Sequence, residues 1–160
     1  MGTKAEAAIE LWTKEIGDDQ GAGEWFEVTQ EVINQFADVT HDHQFIHVDP
    51  EQAAQLSPWG TTIAHGFLTL SMLTHLNKTI PPGDMAKFDG VVMGVNYGFD
   101  KVRFITPVKV GQKIRATGEL VSADLKDPQT VQTTRRMTVE IEGEERPALV
   151  ADWLTRVVYA

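Results

Sequence analysis

Ile63-Ala64-His65-Gly66-Phe67-Leu68-Thr69-Leu70-Ser71-Met72-Leu73-Thr74-His75-Leu76-Asn77 is the stretch on which the architecture of this chain turns. Ile63, Ala64, Phe67, Leu68, Leu70, Met72, Leu73 and Leu76 cover most of a helix circumference, and a helix apolar nearly all round is a buried one. Pro81-Pro82-Gly83 prevents its continuation. Everything C-terminal to it reads as strand: Val91 to Tyr97, Lys101 to Phe104, Lys113 to Ala123, Thr130 to Glu142 and Ala148 to Tyr159. Val131, Thr133, Met137, Val139 and Ile141 share one face of a period-two pattern, and Arg135 shares it too. Asp127-Pro128 and Glu142-Gly143-Glu144 stand where hairpin turns belong. One buried helix followed by long antiparallel strands predicts an α+β fold in which the sheet wraps around the helix.

Upstream, Ala5, Ala8, Ile9, Trp12 and Ile16 recur at helical steps, with Gly17 as a stop. Glu24 to Val28 fits a short strand. Thr29 reads as the N-cap of a helix whose apolar face holds Val32, Ile33, Phe36 and Ala37. Thr40 to Val48 has neither period and reads as a loop. Asp49-Pro50-Glu51-Gln52 is a helix start, with Asp49 as the cap, Pro50 in the first turn and Gln52 reaching back. With no repeat, low-complexity tract or long linker, residues 1–160 form a single domain, 1–23 being an N-terminal helical extension.

The loop His41-Asp42-His43-Gln44-Phe45-Ile46-His47-Val48-Asp49 places five ionisable side chains within nine residues. Three readings compete for it. It could be a solvated polar loop before a helix. His41, His43 and His47 could form a metal cluster, although the absence of cysteine and of a separate carboxylate motif weighs against one. Asp42 and His47 could act as an acid/base pair that holds a water and exchanges its protons. Gly66, at the start of the buried helix, could let a ligand carbonyl approach unpaired backbone N–H groups, or could serve only close packing. His65 could line the same site or be a hydrogen-bonded structural histidine, and His75 reads as structural.

The net charge of −9 argues against a general nucleic-acid binder, and anionic ligands would need local cations. The chain has no cysteine, so disulfides, thiolate metal sites and a cysteine nucleophile are excluded. Its longest apolar candidate, Thr61 to Leu76, is interrupted by His65, Thr69, Ser71, Thr74 and His75, which predicts no membrane association. The N-terminal stretch carries Glu6, Glu10 and Glu15 where a secretory signal would be basic and then apolar, so a cytoplasmic location is expected.

Phe36-Ala37 through Asp42 and His47, then Ile63 to Leu68, then Val95-Asn96-Tyr97-Gly98-Phe99-Asp100-Lys101-Val102-Arg103-Phe104 and Pro107-Val108, resemble the MaoC-like dehydratase family. That family includes the (R)-specific enoyl-CoA hydratases, and the pattern resembles its NodN-like subgroup most. The resemblance implies a hot-dog fold, a long central helix wrapped by an antiparallel sheet. It also implies a homodimer with sites near the subunit interface, and reversible hydration of trans-2-enoyl thioesters to (R)-3-hydroxyacyl thioesters. By the same resemblance Asp42 and His47 are the catalytic pair and the Gly66 N–H meets the thioester carbonyl. Ile63, Ala64, His65, Phe67 and Asn96 become candidate pocket residues. Arg103, with Lys101, is a candidate for the phosphates of coenzyme A, or else part of a solvated strand edge. Substrates would be thioesters of coenzyme A or of acyl carrier protein, with no metal and no further cofactor. Phe45 stands where many members have proline, a departure that bears on acyl selectivity. A thioesterase and a non-catalytic acyl-thioester binder are the rival readings.

Overall fold

The computed structural model describes residues 2–160. Helix α1 (Lys4–Lys14) opens with a complete capping box between Thr3 and Glu6. Strands β1 (Asp19–Ala22) and β2 (Phe26–Glu27) follow, and then helix α2 (Gln30–Thr40), whose expected cap is present: the Thr29 hydroxyl accepts from Val32 N–H at 3.3 Å. Within the stretch read as a loop, Phe45–Val48 closes one helical turn, α3. Helix α4 (Pro50–Leu56) is capped by Asp49, which accepts from Gln52 N–H at 3.0 Å. The Asp49 N–H that Gln52 was expected to reach instead donates to the Phe45 carbonyl at 3.0 Å, because α3 abuts α4.

The central helix is shorter than its apolar pattern predicted. Ile63 lies in an isolated bridge with Lys109, and the helix begins only at Gly66. It runs as α5 (Gly66–Ser71) and α6 (Leu73–Leu76), parted at Met72, with a 3-10 turn over Asn77–Thr79. Hydroxyls account for the irregularity. Ser71 donates to the Phe67 carbonyl at 2.7 Å and Thr74 to the Ser71 carbonyl at 2.9 Å, and such back-bonding competes with the helical ladder and bends it. One flank of the helix faces outward in the single chain, where Phe67 is 68% exposed and His75 is also exposed.

The remaining strands are β3 (Val91–Phe104), β4 (Lys113–Asp127), β5 (Thr130–Ile141) and β6 (Leu149–Tyr159). All pairings are antiparallel, in the order β1-β4-β5-β6-β3, with β2 also on β4. The two segments expected at Val91–Tyr97 and Lys101–Phe104 are one strand, with irregular register between Asn96 and Gly98 and between Asp100 and Arg103. Lys101 takes a left-handed conformation there (φ 54°).

Alternation along β5 and β6 directs Met137, Val139, Leu149, Ala151 and Trp153 onto Leu68, Leu73 and Leu76. A second cluster on the same sheet joins Val131, Val157 and Tyr159 to Ala5, Ala8 and Trp12 of α1. Helix α1 of the N-terminal extension therefore contributes to the core. Among the described residues no helix is long and apolar enough to cross a membrane.

Candidate active site

Helix α2 ends with His41 in the left-handed region (φ 60°), which turns the chain so that Asp42 begins a new direction. Five residues on, α3 carries His47 inward until it is only 7% exposed. Its Nδ1 lies 2.7 Å from the Ile63 carbonyl oxygen. A carbonyl can only accept, so Nδ1 carries the proton and Nε2 of the neutral ring keeps its lone pair. The segment that supplies this acceptor is itself fastened on both sides. Ile63 N–H donates to the Ile46 carbonyl at 2.9 Å, and Ala64 N–H donates to the Val108 carbonyl at 2.8 Å.

Gln30 and Thr62 complete the support, and neither was a candidate from sequence. The Gln30 amide donates to the His47 carbonyl at 2.7 Å and accepts from the Thr62 hydroxyl at 2.5 Å. Nothing in their local sequence distinguishes them, since the partner of one is a backbone atom 17 residues away.

His65 is the third member of the group. Its ring stacks on His47 at 3.8 Å between centroids and tilts against Phe36 at 5.0 Å. Its Nε2 donates to the Asp42 main-chain carbonyl at 2.9 Å, while Nδ1 is buried and unpartnered. One side-chain donor atom from each of Asp42, His47 and His65 lies within 4.8 Å of the others. Atoms that close can share a single bridging water or a small cation. The His41/His43/His47 grouping is not assembled: His43 pairs with Asp38 at 2.8 Å, and both are exposed.

Burial pushes the His47 pKa below its ordinary 6.5, assisted by the neighbouring His65 and opposed by the Ile63 carbonyl and Asp42. The ring is therefore held neutral, in a form able to accept a proton, beside an exposed carboxylate.

Gly66 follows immediately as the first residue of α5. A Cβ placed there would stand 3.1 Å from the Phe104 ring, so close packing accounts for the glycine on its own. It lines a mostly apolar cavity of about 320 Å³ with Ile63, Ala64, Trp59, Phe104 and Val108. Asp42 and His47 do not line that cavity; the Ile63–Gly66 segment is what the pair and the cavity share. Phe67 packs edge-on against Phe104 at 6.1 Å.

Two candidates lie elsewhere. Asn96 accepts from the Trp153 indole at 3.0 Å and borders a different cavity. Arg103 is exposed and donates to its neighbour's carbonyl, Val102, while Lys101 reaches Asp152 at 3.5 Å.

Comparison with known proteins places these observations in context. The family described as MaoC like domain matches residues 12–141. Nodulation protein N of Rhizobium leguminosarum bv. viciae is 49% identical over 144 residues, 90% of this chain and 87% of that protein. The 3-hydroxyacyl-thioester dehydratase Z of Mycobacterium tuberculosis is 49% identical over 142 residues, 89% of this chain and 90% of that one. Among solved structures, the (R)-hydratase from A. caviae involved in PHA biosynthesis superposes with a TM-score of 0.68 at 21% identity, covering 88% of this chain and 95% of that one. At that identity the likeness establishes the shared hot-dog fold.

Proposed function

From the premise that the chain belongs to the MaoC-like dehydratase family, we propose that it is an (R)-specific enoyl-thioester hydratase/dehydratase. The observation that carries this reading is the tautomer-defined His47 with a ring nitrogen within 4.8 Å of an Asp42 carboxylate oxygen. In the hydration direction that water is held between the Asp42 carboxylate and His47 Nε2. Its oxygen bonds to the β-carbon of a trans-2-enoyl thioester while one proton passes to Nε2. The α-carbon then takes a proton from the pair, so H and OH are added overall and the ring returns to neutral. Charge that develops on the thioester oxygen is met by the first N–H groups of α5, Gly66 among them, which helical bonding leaves free. Addition of water changes no oxidation state, so the reaction needs no cofactor beyond the thioester carrier, coenzyme A or acyl carrier protein. The name of the mycobacterial relative, a 3-hydroxyacyl-thioester dehydratase, supports the substrate class.

The apolar cavity beside Gly66 fits an acyl chain. Strand β3 supports a homodimer: it is an edge of the sheet and exposes Val92, Met93, Val95, Tyr97 and Phe104, surface that a second chain would cover.

With crotonyl-CoA, loss of the enoyl absorbance without release of free thiol is the expected result. Thiol release would replace this reading with a thioesterase, and silence with longer chains and both carriers would replace it with a binding protein. The same preparation is expected to scatter light as twice the 17.8 kDa chain.

A pH profile offers a further check. His47 is depressed below 6.5, so Nε2 stays unprotonated above that value and takes a proton only at more acidic pH. The acid limb of kcat/KM should therefore fall below pH 6.5. Folding stability should respond with the same sign: the His47 contribution is complete above 6.5 and declines as pH falls through the lowered value, because the unfolded chain binds the proton first. A limb centred above 6.5 would remove His47 from the role of base.

A further inference from the structure

The two apolar clusters on the sheet do not meet. Between α1 and α6 the inward face carries Thr133 and Arg135 of β5 and Thr155 of β6, the floor of a cavity of about 390 Å³. A smaller cavity of about 200 Å³ adjoins it through Trp12, Asn77, Lys78, Phe88 and Arg135. Three cations line the two spaces, Arg135, Lys78 and Lys87, and among the described residues no carboxylate lines either. In a chain of net charge −9 this is a local reversal of sign.

Arg135 occupies a strand position that alternation assigns to the core, flanked at two-residue steps by Thr133 and Met137. Its two terminal nitrogens donate to the Asn77 and Gln20 side-chain oxygens, both neutral acceptors, and Nε is buried without a partner. Glu15 acts on it electrostatically, but that carboxylate is bonded to the Lys87 ammonium at 2.5 Å. Space for the guanidinium comes from Gly118, where a Cβ would stand 2.7 Å from a terminal nitrogen of Arg135. A half-buried guanidinium hydrogen-bonded only to amides, with its Nε withdrawn from water, is better satisfied when a carboxylate completes it.

We propose that this cavity is a carboxylate-binding subsite, with Arg135 at its floor and Lys78 at its rim. The ligand is the acidic end of a small organic molecule, for which a planar guanidinium is the matching donor. That end has two possible sources. One is a free organic acid. The other, which rests on the hydratase reading, is the far end of the acyl chain. Gly66 and Thr69 border the cavity beside the catalytic pair, and Thr74 and Asn77 border this one. From Gly66 to Asn77 is roughly 16 Å at the helical rise. A thioester held at Gly66 whose acyl chain of about fourteen carbons extends along the helix would bring an ω-carboxylate here.

The test is calorimetry on the full chain with adipate, with hexanediol as the neutral control, and with tetradecanedioyl-CoA, whose extended chain is long enough for that distance, against tetradecanoyl-CoA. Both thioesters are saturated, so binding is read without any hydration, and crotonyl-CoA turnover is scored separately. Adipate binding without hexanediol binding identifies a free acid as ligand. A preference for tetradecanedioyl-CoA over tetradecanoyl-CoA of about tenfold, the size of one charge-assisted hydrogen bond, identifies the acyl end. In either case Arg135→Met should abolish the effect and Lys78→Ala, an exposed position that does not threaten the fold, should weaken it. The proposal is overturned if neither adipate binding nor the thioester preference is seen. It is equally overturned if either effect survives unchanged in Lys78→Ala and in folded Arg135→Met.

Discussion

Asp42→Asn is expected to lower kcat for enoyl-thioester hydration by about 10²–10⁴-fold, the usual contribution of a positioned acid/base group, with the fold intact. The substitution keeps the shape of the side chain but removes its charge and replaces one acceptor oxygen with a donor. It leaves the folded framework alone, because the Asp42 carboxylate is exposed and its one internal bond is a long contact of 3.4 Å from Gln44 N–H. The Asp42 atom that holds His65 is the main-chain carbonyl, which the variant retains. Stability should therefore move by no more than about 0.5 kcal/mol, as for an ordinary surface change. His47→Asn should be as damaging to kcat but is a less clean experiment. It also removes the buried bond to Ile63 and the stack on His65, so a stability loss would accompany the kinetic one. The informative readout is the split between constants. If Asp42 acts on the water in the transition state, kcat and kcat/KM should fall together while KM changes little. A rise in KM alone would make Asp42 a binding residue, and unchanged hydration by purified Asp42→Asn would remove it from the mechanism.

The parts of this site that were legible in the sequence are those encoded by side-chain identity within a short span. Thr29 and Asp49 announce their helices because a capping side chain bonds a backbone N–H three residues on. Strands β4, β5 and β6 are legible because one sheet face is buried and hydrophobicity alternates with the pleat. Asp42 and His47 stood out as a pair of types on one loop, and the fold sets beside them His65, which the sequence left open between a lining and a structural role. What fixes their geometry was not legible. The acceptor for His47 is the carbonyl of Ile63, and every residue carries a carbonyl. The clamp of Gln30 on His47 joins residues with no local signature. Strand β1 was missed because Asp19-Gln20-Gly21-Ala22 has no apolar alternation; it is recruited by the edge of β4. The central helix was read as too long because hydrophobicity reports burial and is blind to where serine and threonine hydroxyls divert the ladder. Arg135 was visible as an intruder on an apolar face, but only the fold reveals that Gly118, diagonal to it on β4, makes the space for it.

Lys87→Met is expected to cost roughly 3–5 kcal/mol of folding stability, the range seen when one partner of a buried ion pair is removed. The Lys87 side chain is 1% exposed, and its ammonium donates to Glu15 at 2.5 Å and to the Pro82 carbonyl at 2.5 Å. It also stands 4.7 Å from the centroid of the Trp12 ring, and its carbonyl accepts from the Tyr159 hydroxyl at 2.7 Å. The same hydroxyl accepts from the Trp12 indole at 3.0 Å, so this one residue ties α1 and the turn before β3 to the end of β6. Methionine fills most of the volume but leaves the Glu15 carboxylate, itself only 13% exposed, without its cation. The cost should therefore arise from the stranded charge more than from lost packing. The sign of a second variant separates the two causes. Glu15→Gln added to Lys87→Met should recover a substantial part of the loss, because the double change removes both charges, whereas lost packing would leave the double variant no better than the single. The midpoint of urea unfolding should fall in Lys87→Met with the slope unchanged, which would mark a change in stability and not in the extent of the folded unit. A drop in slope would mean that α1 detaches while the sheet stays folded, and the charged cluster would then hold a dispensable segment in place of the core to which Ala5, Ala8 and Trp12 contribute.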